Sequence, residues 1–179
     1  MKVLKTIFII LIIIVAIPLV AAVFVKKSYD VERETIINAP IDEVFDYVKY
    51  LKNQDNFSKW ASLDPNMKKE YRGTDGTVGF VSAWSSERGD VGSGEQEITN
   101  IVEGQRIDYE LRFLEPWESR MPAYMITEKV NENQTKVRWG VNGKVKYPMN
   151  LMMAFMNVDK AIGGDFEAGL NNLKAILEE

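Results

Sequence analysis

The segment Ile7–Val25 contains nineteen consecutive residues without a charge, and Pro18 is the only one of them outside the apolar set. As a helix, the segment would be roughly 28 Å long at ~1.5 Å per residue, close to the ~30 Å hydrocarbon core of a bilayer. Lysines precede and follow it, and no soluble core requires such a run. The sequence therefore predicts one transmembrane helix within residues 1–27 and a separate domain at 28–179.

The same segment also has features of a cleaved signal peptide. Val20 and Ala22 are small residues at positions that suit signal peptidase, although the apolar run exceeds the usual ~7–15 residues and continues through Val25. We therefore favour an uncleaved single-pass anchor and keep a cleaved leader as the alternative. Basic residues flank the two ends of the segment almost equally, so the positive-inside rule barely discriminates between the two orientations of the helix. The default orientation places the domain on the outer, periplasmic or extracellular, face.

Two absences from the composition narrow the chemistry. The chain has no Cys and no His, which excludes disulfides, Cys/His zinc sites, thiol nucleophiles and Ser-His-Asp triads. After the first 27 residues, 18 basic residues stand against 26 acidic ones, and an acidic domain repels nucleic-acid phosphates. The sequence contains no phosphate loop, dinucleotide fingerprint or metal motif. We expect no cofactor, no metal and no nucleic-acid partner.

The domain begins with a strand and ends with an amphipathic helix. Apolar and polar residues alternate over Tyr29–Ile37 and most clearly over Ile107–Phe113, as in half-buried strands. Further strands are predicted at 80–85, 95–102, 122–130 and from Lys136 onward. Short helices are predicted after Pro40 and at 51–60, and a long helix from Pro148 to about Leu177. This order predicts an α+β fold in which a curved antiparallel sheet wraps around the long helix.

Several segments resemble the START-like superfamily in its polyketide cyclase/dehydrase (SRPBCC) branch. The resemblance begins at residues 31–48 with Val-Glu-Arg-Glu-Thr-Ile-Ile-Asn-Ala-Pro-Ile-Asp-Glu-Val-Phe-Asp-Tyr-Val. It continues at 51–60, 92–95, 103–111, 135–139 and 165–170 and so covers nearly all of residues 29–179. The resemblance implies a helix-grip fold with a hydrophobic cavity between the sheet and the C-terminal helix. It implies no single activity, because function lies in the site rather than in the fold.

Aromatic and methionine residues are the first candidates for lining such a cavity. Met side chains are flexible and polarisable and suit a surface that adapts to varied apolar ligands. The alternative is that these residues form an ordinary core. The expected ligand-binding set is Trp60, Trp84, Tyr109, Phe113, Trp139, Met152 and Met156.

Asp159 is the most informative polar residue. On a helix that starts at Pro148, its carboxylate falls within the apolar stripe that contains Phe155 and Ile162. A buried carboxylate needs a partner or an upward pKa shift, and Arg33 lies in the inward set of the first strand. Asp159 is therefore a candidate ligand anchor or general acid/base, and an Arg33–Asp159 ion pair or a solvent-facing Asp159 is the structural alternative.

Three functions remain open from the sequence. The preferred one is a membrane-tethered domain that binds a small hydrophobic or lipid-like molecule in the cavity. The second is a cyclase or dehydratase that uses a cavity carboxylate, which the absence of His makes less favourable. The third is an interaction domain whose core is filled by its own side chains.

Overall fold

The computed structural model describes residues 2–179 and begins with a long apolar helix. This helix, α1 (Lys2–Phe24), contains Pro18 and exposes nearly all of its large apolar side chains. Over Val3–Phe24 it is long and apolar enough to cross a bilayer. A signal sequence near an N-terminus meets the same criteria, so the helix by itself does not separate the two interpretations.

A single antiparallel sheet of seven strands forms most of the domain. The strands are β1 (Ser28–Ile37), β2 (Lys68–Arg72), β3 (Val81–Ser85), β4 (Ser93–Val102), β5 (Arg106–Glu115), β6 (Ser119–Asn131) and β7 (Gln134–Lys144). Their order is β1-β7-β6-β5-β4-β3-β2, so that the first strand pairs with the last and β2 lies at the other edge. The predicted α+β architecture is confirmed, with one strand, β2, that the sequence pattern did not predict.

Short helices connect β1 to β2 and cover one end of the sheet. Helix α2 (Ile41–Lys49) follows Pro40 as predicted and buries Val44, Phe45 and Val48. The predicted helix at 51–60 is three successive turns, namely a 3₁₀ helix (Leu51–Asn53), α3 (Gln54–Phe57) and a second 3₁₀ helix (Lys59–Ser62).

The C-terminal helix begins ten residues later than predicted. Helix α4 covers Val158–Leu177, and the side chain of Asn157 caps it by accepting a hydrogen bond from the Lys160 amide at 2.9 Å. A separate 3₁₀ helix, Met149–Ala154, precedes it. Because that segment is not continuous with α4, Met152 and Phe155 do not share a helical stripe with the inward residues of α4.

The core lies between the sheet and α4. Phe166, Leu170 and Leu173 of the helix are fully buried, as is Val137 of β7. Gly169 allows the helix to approach closely, because a Cβ at this position would lie 2.7 Å from Cζ3 of Trp139. The sheet thus wraps around α4 as the predicted helix-grip arrangement requires.

Candidate ligand-binding cavity

A cavity of about 320 Å³ lies between the sheet, the 51–62 turns and α4. Strands β2 to β7 supply one wall, and Ile162 and Phe166 of α4 supply the other. Most of the large side chains that line it are apolar: Leu51, Trp60, Leu63, Met67, Trp84, Leu111, Phe113, Met121, Trp139, Val141, Ile162 and Phe166.

Aromatic rings pack edge to face along the wall. Trp60 contacts Trp139 and Phe166 at centroid distances of 5.9 Å and 5.4 Å, both nearly perpendicular. Farther along the sheet, Trp84 of β3 meets Phe113 of β5 at 5.8 Å. Such contacts stabilise aromatic pairs beyond area burial alone and hold the rings in place. Four residues of the predicted set, Trp60, Trp84, Phe113 and Trp139, therefore line the cavity.

Tyr109 differs from the other predicted aromatics because it lies in the core and does not line the cavity. Its side chain is 1% exposed, and its hydroxyl has no hydrogen-bond partner among residues 2–179. Burial raises the pKa of Tyr109 well above its ordinary value, and the neighbouring Gln54 amide acts in the opposite direction. The hydroxyl is thus a neutral polar group next to the Gln54 amide.

Gln54 lines the cavity and was not predicted from the sequence. It is 6% exposed, and its amide nitrogen Nε2 also lacks a hydrogen-bond partner within the described part of the chain. A buried donor without an acceptor costs about 1–3 kcal/mol. The sequence contains one indication of its burial, which is spacing. Gln54 lies three residues after Leu51 and three before Phe57, two apolar residues that are both buried. A ligand with an acceptor group would satisfy this donor.

Two carboxylates line the cavity, and both are already paired. Asp55 forms an ion pair with Lys69, a second lining residue, and accepts a hydrogen bond from the Tyr71 hydroxyl at 2.7 Å. Burial, followed by the bond to Asp55, raises the pKa of Tyr71 to about 12. Asp90 forms an ion pair with Arg88 at 2.7 Å. These pairs place charge at the cavity wall and leave its interior largely apolar.

The prediction that Met152 and Met156 line the cavity is wrong. Their side chains are 52% and 55% exposed and lie outside the residues that surround the cavity. The reason is the late start of α4, which leaves both residues on a turn-rich segment next to the end of α1. Phe155 between them is 85% exposed.

Asp159 does not lie in the cavity either. Its side chain is 64% exposed, so the predicted burial is wrong, but the predicted partner is correct. Arg33 donates to Oδ1 and Oδ2 at 3.1 Å and 2.9 Å and to the main-chain oxygen of Asp159 at 3.1 Å. The hydrogen bond from Arg33 lowers the pKa of Asp159. Asp159 thus ties α4 to β1 and is not placed to contact a cavity ligand.

Arginine residues neutralise the outward carboxylates of the central strands. Arg112 donates to Glu95 at 3.0 Å, to Glu97 at 2.6 Å and to Glu110 at 3.0 Å. Arg72 adds a second bond to Glu95 at 2.6 Å. Hydrogen bonds from Arg72 and then Arg112 lower the pKa of Glu95. This cluster is a charge network on the sheet, separate from the cavity.

The sequence of this domain matches a known protein family. Residues 28–178 match the family described as polyketide cyclase / dehydrase and lipid transport. The chain belongs to this family. The match covers the whole domain after α1 and confirms the resemblance expected from the sequence. No curated protein matches the chain in overall sequence.

Solved structures related to this polyketide cyclase/dehydrase family member share its fold at low identity. A protein from Nitrosospira multiformis is 17% identical, with a TM-score of 0.56 over 83% of this chain and 96% of that one. Norcoclaurine synthase from Thalictrum flavum, in complex with dopamine and hydroxybenzaldehyde, is 10% identical, with a TM-score of 0.63 over 87% and 88% of the two chains. The Aha1 dimer from Colwellia psychrerythraea is 16% identical, with a TM-score of 0.55 over 84% and 96%.

Proposed function

We propose that this chain is a membrane-tethered module that binds a small hydrophobic molecule carrying a hydrogen-bond acceptor. The observation that carries the proposal is the apolar cavity whose lining includes the buried Gln54, with a side-chain nitrogen that lacks an acceptor. Small-molecule sites are typically apolar cavities with a few polar groups that fix orientation. A cavity of about 320 Å³ argues against the third hypothesis, in which the domain's own side chains fill the core.

The size of the cavity limits the ligand. At ~30 Å³ per water-sized group, a volume of about 320 Å³ holds on the order of ten non-hydrogen atoms. A phospholipid with two acyl chains is much larger than this. A single substituted ring or a short acyl chain fits better, and dopamine and hydroxybenzaldehyde in the norcoclaurine synthase complex are molecules of the first type.

The tether is the second part of the proposal. It consists of α1 within residues 1–27, followed by the binding domain at 28–179. An uncleaved α1 would hold the cavity close to a bilayer, where hydrophobic molecules concentrate. The domain would then lie on the outer face of the membrane as a single-pass protein.

A catalytic role is the second candidate, and one observation favours it. Asp55 and Lys69 form an ion pair at the cavity wall, with the Tyr71 hydroxyl bonded to the same carboxylate. This cluster replaces Asp159 as the candidate for acid/base chemistry in a cyclase or dehydratase, because Asp55 and Lys69 line the cavity and Asp159 does not. Asp55→Asn should abolish turnover and preserve binding if the chain is an enzyme.

The binding function is tested with two substitutions on one strand. Val141 and Val137 are both buried, four residues apart on the same face of β7, but of the two Val141 alone lines the cavity. Val141→Phe should fill the cavity and abolish acetophenone binding in calorimetry with little loss of stability. Val137→Phe should overpack the core, at a cost of about 1–3 kcal/mol, and retain binding in the folded fraction.

Native mass spectrometry of the detergent-extracted full chain complements the calorimetry. A co-purified small molecule that is present in wild type and missing from Val141→Phe supports the proposal. If Val141→Phe binds acetophenone as tightly as wild type, the ligand does not occupy this cavity and the proposal is wrong.

A further inference from the structure

The short segment before α4 carries an exposed apolar surface, which we call the methionine patch. It consists of Met149, Met152, Phe155 and Met156, which are 58%, 52%, 85% and 55% exposed. Large apolar side chains that cluster on a surface mark a site of interaction with a protein or a membrane. The surroundings of the patch decide between these two partners.

Two polar side chains fix this segment to the last turns of α1. The Asn150 amide donates to the main-chain oxygens of Ala22 and Val25 at 2.6 Å and 3.0 Å, and both Asn150 and Ala22 are fully buried. Nearby, the Tyr147 hydroxyl donates to the main-chain oxygen of Leu19 at 3.1 Å. The domain therefore does not hang from a free linker but contacts the C-terminal end of α1 directly.

These contacts define the depth of the patch if α1 spans a bilayer. Leu19 lies six residues before Val25, the end of the apolar run, which corresponds to roughly 9 Å along a helix. The interfacial layer of a bilayer is only ~5–8 Å thick on each side. Tyr147, bonded to Leu19, must then lie at the boundary between headgroups and acyl chains, where Tyr is enriched.

The charge around the patch fits an anionic surface. Lys26, Lys27, Lys144 and Lys146 are exposed, and none of them forms an ion pair among the residues that the structure describes. The ammonium of Lys27 lies 6.0 Å from the centre of the Tyr147 ring. Apolar side chains with lysines around them are typical of protein surfaces that insert into an anionic membrane interface.

We propose that the methionine patch inserts into the anionic face of the same bilayer that holds α1, so that the domain lies on the membrane and not above it. This inference rests on the proposed tether. It adds a second membrane contact, made by the domain itself, and it orients the groove next to Phe155 towards the lipid surface.

The test uses the absence of cysteine from the chain, because one introduced Cys gives one labelling site. Phe155→Cys and Met152→Cys place a nitroxide in the patch. Val130→Cys is the matched control, an exposed apolar residue near the β6–β7 hairpin. By register this hairpin lies beside Ile37, at the opposite end of β1 from Ser28, on the order of 30 Å away.

The full chain is reconstituted in vesicles of phosphatidylcholine and phosphatidylglycerol. Collisions of each nitroxide with oxygen, which concentrates in lipid, are compared with collisions with a water-soluble nickel chelate. We expect an oxygen-to-nickel ratio several-fold higher at 152 and 155 than at 130. Lys144→Glu with Lys146→Glu should lower the ratio at 155, and so should vesicles of phosphatidylcholine alone.

Each contrary result has a distinct meaning. A chain that does not float with the vesicles overturns the tether, and the insertion with it. A chain that floats but exposes 152 and 155 to nickel as fully as 130 overturns insertion alone. Dipolar broadening between labels at 155 would identify a second copy as the occupant and would also overturn the proposal. A ratio that does not respond to the lysine substitutions or to lipid charge overturns its anionic part.

Discussion

The guanidinium of Arg33 lies directly against Gly163 of α4, so that any Cβ at this position would overlap it. From this place Arg33 reaches back along the helix to Asp159, with Nη2 2.9 Å from Oδ2. Gly163 is buried, whereas the adjacent Gly164 is exposed and has open space around its Cβ position. The two glycines therefore have different roles: Gly163 makes room for the link between β1 and α4, and Gly164 does not.

The first prediction compares these two glycines. Gly164→Ala should stabilise the domain by about 1 kcal/mol, because Ala is the better helix former. Gly163→Ala should gain less or nothing, since the new methyl group displaces Arg33 from Asp159. Urea unfolding of both variants measures the difference. In an Asp159→Asn background, where the ion pair is already lost, the two substitutions should become more alike; an unchanged difference would contradict the proposed displacement.

The strands could be predicted where one face is buried and the other is not. β1 and β5 alternate for this reason, and they were predicted almost to the residue. β2 has the sequence Lys-Lys-Glu-Tyr-Arg and is exposed along an edge of the sheet. Charged side chains on an edge strand protect the sheet edge from pairing with another chain. Where they occupy both faces of the strand, the sequence shows no alternation of apolar and polar residues. The missed strand is therefore a consequence of its position in the sheet.

The site was predicted in part, for a similar reason. Large aromatics on inward strand positions, such as Trp84 and Phe113, follow from alternation alone. Met152 and Met156 were assigned with a helical period that continues through Asn157, the residue that caps α4, whereas Asp159 lies on α4 itself but in its exposed first turn. Gln54 was missed because a polar residue on an apolar helix face carries no mark of its use. Only the three-dimensional structure shows that this residue lines a cavity and that its donor lacks an acceptor.

The second prediction concerns Gln54 as the polar contact of the ligand. Gln54→Leu removes an unpaired buried donor, so it should raise the stability of the ligand-free domain by about 1–3 kcal/mol. The same substitution should weaken binding of acetophenone about fivefold, the equivalent of one hydrogen bond of ~1 kcal/mol. Isopropylbenzene, of similar shape but without an acceptor, should bind no more weakly. Calorimetric titration of both compounds measures this selectivity.

The control for Gln54 is its neighbour Tyr109, which does not line the cavity. Tyr109→Phe removes the buried hydroxyl next to Gln54 and should leave the preference for acetophenone over isopropylbenzene unchanged. If Gln54→Leu retains the wild-type preference, the carbonyl of the ligand does not reach Nε2, and the assignment of Gln54 fails.

The third prediction is loss of stability in acid through Glu95. Its pKa in the folded domain is held below the ordinary value of 4.5 by Arg72 and Arg112. A carboxyl group whose pKa is lower in the folded state than in the unfolded state stabilises the fold above about pH 4.5. This stabilisation is lost as the pH falls through the pKa of the folded state. Glu95→Gln should therefore be less stable than wild type near pH 6, by about 1 kcal/mol or less, and the difference should shrink as the pH is lowered below 4.5. Urea unfolding at several pH values measures it.

An exposed glutamate serves as the control for Glu95. Glu87 has no ion pair among the described residues, so Glu87→Gln should leave stability near pH 6 unchanged. A Glu95→Gln variant whose deficit persisted into acid would show that lost packing, and not lost charge, causes the effect.

The last prediction separates an anchor from a cleaved leader. Fifteen of the residues in Ile7–Val25 are Leu, Ile, Phe or Val, which together favour membrane insertion by roughly 5–9 kcal/mol. The full chain should therefore resist alkaline carbonate extraction and retain its complete mass. Arg at both Ile10 and Ile13 would cost roughly 5–7 kcal/mol and should release the chain, whereas Arg at both Val3 and Leu4, outside the run, should not. A mature protein that begins at Val23 would contradict the anchor, and it would also deprive the buried Asn150 amide of its acceptor on Ala22.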